Sequence, residues 1–195
     1  MKALISFLIK IQKEMVKNVE FKKLNKIEKI LALDLGYKKN VGICAAVLYD
    51  LIKKQAIKTL VVKEEISFPY IPTLLFFREA PLMLKAIEKF ENENYDLILV
   101  DGHGLAHPRK AGIATIIGIL TKKPTIGIAK SYLFGNIENN YIIVDNQKVG
   151  IKFEKYYASI GSNIDFESLE NFVKNILNFE YPEALKLADK LSKTL

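Results

Sequence analysis

The 195-residue chain has one cysteine, no tryptophan, two histidines and six prolines. The lone Cys44 excludes an internal disulfide and fits a reducing cytoplasm, and its apolar neighbours mark it as inert core. No apolar run is long enough to span a bilayer. The opening Met1-Lys-Ala-Leu-Ile-Ser-Phe-Leu-Ile9 is short, is broken by Lys10 and lacks a small-residue cleavage site, so it does not read as a signal peptide. There is no internal repeat, low-complexity tract or Pro/Gly/Ser-rich linker. Arginine is scarce too. Of 29 basic residues only Arg78 and Arg109 are arginines. A chain that elsewhere uses lysine has a specific need for the planar fork at those two places, and that fork suits phosphate oxygens.

What the chain has is positive charge and apolar bulk. The formal net charge is +7 and half the residues are hydrophobic. The length fits one domain, residues 1–195, with a sizeable core. The charge favours an anionic partner, of which nucleic acid is the commonest. Residues 1–29 carry eight lysines against three glutamates and read as a basic amphipathic helix, with Leu4, Leu8, Ile11, Met15 and Val19 on one face.

The apolar patterning predicts three antiparallel strands over 30–33, 41–48 and 57–66. A helix over 72–90, a buried strand over 95–100, a helix over 111–120 and a strand over 124–129 follow. A hairpin over 141–151 turning at Asp145-Asn146, a strand over 156–160 and two closing helices over 166–179 and 182–191 complete the order. This is an α/β architecture, a mixed sheet flanked by helices. Asp34 is expected at the end of the first strand and Asp101 at the end of the fourth. If those strands are neighbours, both carboxylates emerge at one sheet edge, where a divalent cation offsets their repulsion. Paired acids at adjacent strand ends are how a two-metal phosphodiesterase is built.

Two blocks stand out. Asp101-Gly-His-Gly-Leu-Ala-His107-Pro-Arg109 holds both histidines and one arginine, a poor recipe for core and a good one for a site holding a metal and an anion. In Phe68-Pro-Tyr70-Ile-Pro72-Thr-Leu-Leu-Phe-Phe-Arg78-Glu79-Ala-Pro81 two prolines stiffen the backbone around Tyr70. Tyr70 is either a core tyrosine in a turn or an aromatic wedge for a base stack. Gly102-x-Gly104 lacks the third glycine of a dinucleotide loop and reads instead as a place where the backbone approaches a base closely.

These blocks, with Leu33-Asp34-Leu-Gly-Tyr37 and Pro124-Thr-Ile-Gly-Ile-Ala-Lys130-Ser131, resemble the endonuclease V family, the deoxyinosine-directed nucleases with a ribonuclease H-like fold. A weaker match covers Ser159 to Asp189, and the resemblance spans roughly residues 30–192. It implies metal ligation by Asp34, Asp101 and Asp189, with Mg²⁺ or Mn²⁺ as the ion. It implies catalytic places for Asp34, Glu79, Asp101, His107 and Lys130, with His107 and Lys130 assisting the cleaved strand or its phosphate. Tyr70 is implied as the wedge. Pro72, Arg78, Gly102, Gly104 and Arg109 complete the substrate-binding set. The implied reaction is a nick 3′ to deoxyinosine, at the second phosphodiester bond, in repair of deaminated adenine, by a cytoplasmic monomer acting on DNA or on inosine-containing RNA. The chain departs from the family pattern at Gly36, Thr73, Thr115-Ile116 and Ser159-Ile-Gly-Ser162. Two rivals remain at this point: another ribonuclease H-like nuclease such as a junction resolvase, and a nucleic-acid-binding module without catalysis.

Overall fold

The computed structural model describes residues 2–194. Helix α1 (Lys2–Met15) passes through a 3-10 turn (Val16–Asn18), and an extended segment leads into the sheet. The predicted basic helix over 1–29 is therefore about half that length. Val19, assigned to its apolar face, lies beyond it and packs against the core from the extended segment.

Strands β1 (Lys29–Lys38), β2 (Val41–Asp50) and β3 (Gln55–Glu65) form the expected antiparallel meander. Helix α2 (Phe76–Glu88) leads to β4 (Leu97–Asp101), and α3 (Ile113–Thr121) leads to β5 (Thr125–Ala129). Then come β6 (Asn136–Glu138), β7 (Tyr141–Val144), β8 (Gln147–Phe153) and β9 (Tyr156–Ile160). Helix α4 (Phe166–Asn171) runs into a π turn (Phe172–Ile176), and α5 (Glu183–Lys193) closes the chain. The strands make one mixed sheet in the order β3-β2-β1-β4-β5-β9-β8-β7-β6. The edge strand β3 is mostly exposed and carries Lys58, Lys63, Glu64 and Glu65, charges that discourage edge pairing with another chain.

Four expectations shift. Asp34 does not end β1: the strand continues to Lys38 because β2 pairs with it along its full length. Helix α2 starts at Phe76 rather than at residue 72, since the turn through Pro72 and Thr73 has a positive φ at Thr73 that no helix accommodates. The helix expected over 166–179 changes to π spacing at Phe172 and stops where Asn178 and Phe179 turn left-handed. Strand β6, three exposed residues, has too little pattern to read.

The sheet buries both faces. Ile30, Ala32, Ala45, Val47, Leu97, Leu99, Ile126 and Ile128 face α4 and α5. Leu31, Leu33, Cys44, Ala46, Leu48, Ile98 and Val100 face α2 and α3. Cys44 is fully buried, and that burial pushes its thiol up to about 12, so it is inert as expected.

β1 and β4 run parallel with Leu33 opposite Val100, so Asp34 and Asp101 follow at the same level. The period of two fixes their direction. Asp34 continues the 30, 32 series, Asp101 the 97, 99 series, and Lys130 the 126, 128 series. All three fall on the face covered by α5.

The turn after β4 is packed backbone to backbone. A Cβ on Gly104 would stand 2.0 Å from the Ile160 carbonyl oxygen. The Gly104 amide donates to Ser159 Oγ at 2.8 Å. The size of Gly104 thus answers to close packing against strand β9. Gly104→Ala should destabilise the protein by at least about 1–3 kcal/mol, the range of an overpacked core, measured as the shift in a urea unfolding curve. An unchanged midpoint would contradict this packing.

Candidate active site and nucleic-acid interface

Asp34, Asp101 and Asp189 each offer a carboxylate oxygen, and the three oxygens lie within 4.8 Å of one another. The first two come from β1 and β4, and the third comes from α5 across the face. Ser192, one turn after Asp189 on the same helix, donates its hydroxyl to Asp34 Oδ2. The Lys130 ammonium joins Asp101 Oδ2 at 2.6 Å and Asp189 Oδ1 at 2.7 Å. Lys193 meets the other Asp189 oxygen at 2.6 Å.

Burial pushes the Asp34 carboxyl up to about 6; the Ser192 hydrogen bond opposes this, and the charge of Asp101 adds to it. Burial works against charge on Lys130, but its hydrogen bonds to Asp101 and Asp189 outweigh that and hold it protonated. Burial would raise Asp189, yet its bonds to Lys130 and Lys193 bring it below the ordinary carboxylate value. Three hard oxygen donors converging where a buried acid resists ionisation suit a divalent cation such as Mg²⁺ or Mn²⁺.

Glu79 reaches this region from the opposite side. It lies on α2, on the other face of the sheet, and its Oε1 accepts from the Tyr37 hydroxyl at 2.7 Å. Burial pushes Glu79 up to about 7, against the Tyr37 hydrogen bond and assisted by the charges of Asp34 and Asp101. It is near the triad but not part of it.

Beside the acids lies a cavity of about 210 Å³ lined by Tyr70, Thr73, Phe76, Gly102, His103, Gly112, Tyr132 and Leu133, among others. The chain links the two places directly. Gly102 and His103 follow Asp101, and Ser131 follows Lys130. His103 Nε2 donates to the Ser131 carbonyl at 2.9 Å, tying the two turns together. Tyr70 is 68% exposed, which rules out the core-tyrosine alternative. Pro72 is exposed beside it.

Both arginines bond the Tyr70 loop. Arg78 Nη1 donates to the Phe68 carbonyl, and its guanidinium stacks 4.5 Å over the Tyr37 ring. Arg109 Nη2 donates to the Thr73 carbonyl at 2.9 Å and to Thr73 Oγ1 at 2.6 Å. The two forks hold the Tyr70 loop from its two ends. His107 belongs to the same arrangement. Its Nε2 donates to the Thr73 carbonyl at 3.1 Å, and its Nδ1 accepts the Arg109 and Ala111 amides at 3.1 and 3.2 Å. Both ring nitrogens are taken by backbone, which leaves neither free for a phosphate as the sequence had suggested.

Sequence reasoning missed Ser192, the hydroxyl of Tyr37 and the pocket side chain Tyr132. A signal for the first was present: Ser192 stands three residues after Asp189 and so shares its helix face.

The comparisons with known proteins agree with this geometry. The family model for Endonuclease V matches residues 10–190. The chain belongs to the endonuclease V family. It is therefore an endonuclease, a hydrolase of phosphodiester bonds in nucleic acid. The endonuclease V of Sulfurisphaera tokodaii is 50% identical over 98% of this chain and 96% of its own. That of Sulfolobus acidocaldarius is 47% identical with the same coverage. Among solved structures, the catalytic domain of human endonuclease V superposes with a TM-score of 0.87 at 19% identity, covering 99% of this chain and 96% of that one. Endonuclease V of Ciona intestinalis, solved with a 24mer DNA containing an inosine, gives 0.85 at 21% identity, covering 98% and 97%. The Bacillus subtilis protein gives 0.81 at 28% identity, covering 94% and 88%. The fold is ribonuclease H-like, as the resemblance implied.

Burial and the neighbouring Arg109 push His107 down to about 4 from the ordinary 6.5. Above pH 6.5 the ring is neutral folded or unfolded and contributes no pH dependence. As pH falls from 6.5 towards 4 only the unfolded chain takes up the proton, so stability is lost in that window. The loss amounts to about 3 kcal/mol. His107→Gln should therefore lose about 3 kcal/mol less than the parent between pH 7.5 and 4, measured from urea unfolding at each pH. Parallel losses in the two proteins would count against a neutral buried His107.

Proposed function

We propose that this chain nicks nucleic acid on the 3′ side of deoxyinosine, at the second phosphodiester bond of the inosine strand. It acts with Mg²⁺ or Mn²⁺ in the repair of deaminated adenine, as a monomer in a reducing cytoplasm that suits its single buried thiol. The observation that carries this reading is the acidic triad joined through Asp101-Gly102-His103 to a small cavity with Tyr70 exposed at it. The Ciona intestinalis relative solved with inosine-containing DNA supports the substrate.

A cation held by Asp34, Asp101 and Asp189 would supply charge stabilisation at the phosphate and activation of the attacking water. The chain's own groups do the rest. Asp34, pushed up to about 6, would have to lose its proton to hold a metal, so metal affinity is expected to rise with pH through about 6. Glu79, poised at about 7, suits accepting a proton from water near neutral pH. Lys130, cationic beside Asp101 and Asp189, can hold a phosphate oxygen. Inosine pairs less stably than guanine with cytosine, so extruding it costs less, and the cavity beside the Gly102 turn can then read its edge.

The test is cleavage of matched DNA and RNA oligonucleotides, with and without one inosine, in each metal. A single nick in the inosine strand, absent without metal, is the expected result. Preference for a four-way junction over an inosine duplex would favour a resolvase, and no cutting of any substrate would favour a binding module. Asp34→Asn and Asp101→Asn should abolish cleavage while DNA binding stays intact or tightens, because a negative charge beside phosphates is removed. Cleavage surviving in Asp101→Asn would refute the assignment of the triad.

Tyr70→Ala bears on the wedge. Stacking by an aromatic side chain contributes about 1–3 kcal/mol per base. Its loss should lower the preference for inosine over normal bases more than it slows metal-dependent hydrolysis, read as KM and kcat on inosine and control duplexes. A variant that loses both in proportion would place Tyr70 elsewhere than at the base.

A further inference from the structure

Residues Ile71-Pro72-Thr73-Leu74 form a tight turn, closed by the Leu74 amide donating to the Ile71 carbonyl at 3.0 Å. Proline stands at its second position and Thr73 at its third, with a φ of 66°. That is the type II pattern, in which the third position is left-handed and favours glycine. A β-branched residue there is strained, and such strain persists only where the surroundings over-determine it.

The surroundings here include a residue from the far end of the sequence. Gln12, fully buried on the otherwise largely exposed helix α1, donates from Nε2 to the Thr73 carbonyl at 2.8 Å. Its Oε1 accepts from Arg109 Nε at 2.6 Å. One amide thus satisfies the strained carbonyl and orients the guanidinium that grips the same residue. With the His107 and Arg109 bonds already described, three donors converge on the Thr73 carbonyl.

We infer that Gln12 is a positioning residue for base recognition: it locks the strained Thr73 turn from helix α1 and so presets Tyr70, three residues upstream, before any nucleic acid arrives. This rests on the reading of Tyr70 as the recognition wedge. The lysines of α1, Lys10 and Lys13 among them, are exposed on the helix that makes this contact, so the helix ties a basic surface to the wedge. Presetting lowers the ordering cost of binding and leaves hydrolysis at the acids untouched.

Two variants separate the lock from simple folding. Gln12→Ala removes both bonds. Gln12→Glu keeps the size and the Arg109 partner but loses the donor to Thr73, so it tests that bond without opening a cavity. Hydrogen–deuterium exchange of the free protein is the first readout. Residues 68–75 should exchange faster in both variants, while the β1 and β4 amides and the melting temperature in Gln12→Glu stay close to the parent. The second readout is kinetic. The inosine-over-guanine ratio of kcat/KM should fall about tenfold through KM, with kcat within about twofold. The third is coupling. In a Thr73→Gly background the turn no longer needs a lock, so Gln12→Glu should change that ratio by less than about threefold.

Unchanged exchange in residues 68–75 overturns the inference whatever the substrate proves to be. Faster exchange with unaltered selectivity, or an equal effect of Gln12→Glu with Thr73 and with glycine, overturns the link from lock to recognition. A parent protein that does not cut inosine duplexes at all would refute the proposed function instead, and the exchange result would still decide the lock.

Discussion

The repulsion among carboxylates gathered on one face of the sheet is the constraint around which the rest is arranged. Asp34 and Asp101 sit level on adjacent parallel strands, Asp189 closes in from α5, and Glu79 approaches from α2 through the other face. Left alone, such a cluster would hold protons or spread apart. Burial has already pushed Asp34 up to about 6 and Glu79 up to about 7. The chain restrains the cluster with neutral donors and with lysines, Lys193 on Asp189 among them. Ser192 bonds Asp34, Tyr37 bonds Glu79, and Lys130 spans Asp101 and Asp189. Hydroxyls suit this task because they fix a carboxylate's orientation without neutralising it, leaving the net negative charge that a divalent cation requires.

The Tyr70 loop is held on the opposite principle, by donors that are paired. Every polar group that shapes the Tyr70 loop from outside has a partner. Arg78 holds Phe68; Arg109, His107 and Gln12 hold Thr73. The reason arginine is so scarce elsewhere becomes plain. A lysine offers one point charge on a flexible stem, whereas a guanidinium can donate in several directions from one rigid plane. Arg109 uses that plane to reach Gln12 and both oxygens of Thr73 at once. Both arginines are spent on the loop that carries the exposed Tyr70.

Much of this was legible in the sequence. An acid after each of the apolar runs 30–33 and 97–100 pointed to two carboxylates on one edge if the strands were neighbours, and the register shows that they are, with the acids level. Tyr70 between two prolines was legible because proline stiffens a loop whatever surrounds it. The rest depended on distant partners. Asp34 read as a strand end because polar residues terminate apolar runs, yet β2 carries β1 on to Lys38. Arg78 and Arg109 drew attention by their residue type, and only the fold shows that they and His107 bond backbone carbonyls of the Tyr70 loop. Gln12 carried no signal at all. A glutamine on a lysine-rich helix reads as surface, and its partners stand 61 and 97 residues away.

A polyanion must approach these acids, and the charge pattern shows how that is reconciled. The protein is basic overall, with a net +7 carried mainly by lysines spread over the surface, while four buried or half-buried acids, Asp34, Glu79, Asp101 and Asp189, gather at the site. Surface lysines act at the range of the screening length, roughly 8 Å at physiological salt, and attract a phosphate backbone without specifying where it lies. Within that range the acids would repel a phosphate, and a divalent cation held between them would offset that repulsion. A metal held there would thus act electrostatically as well as chemically. Under the proposed function, nucleic acid would be gathered by lysine and aligned by the Tyr70 loop, and a divalent ion at the carboxylates would offset their repulsion of the phosphate.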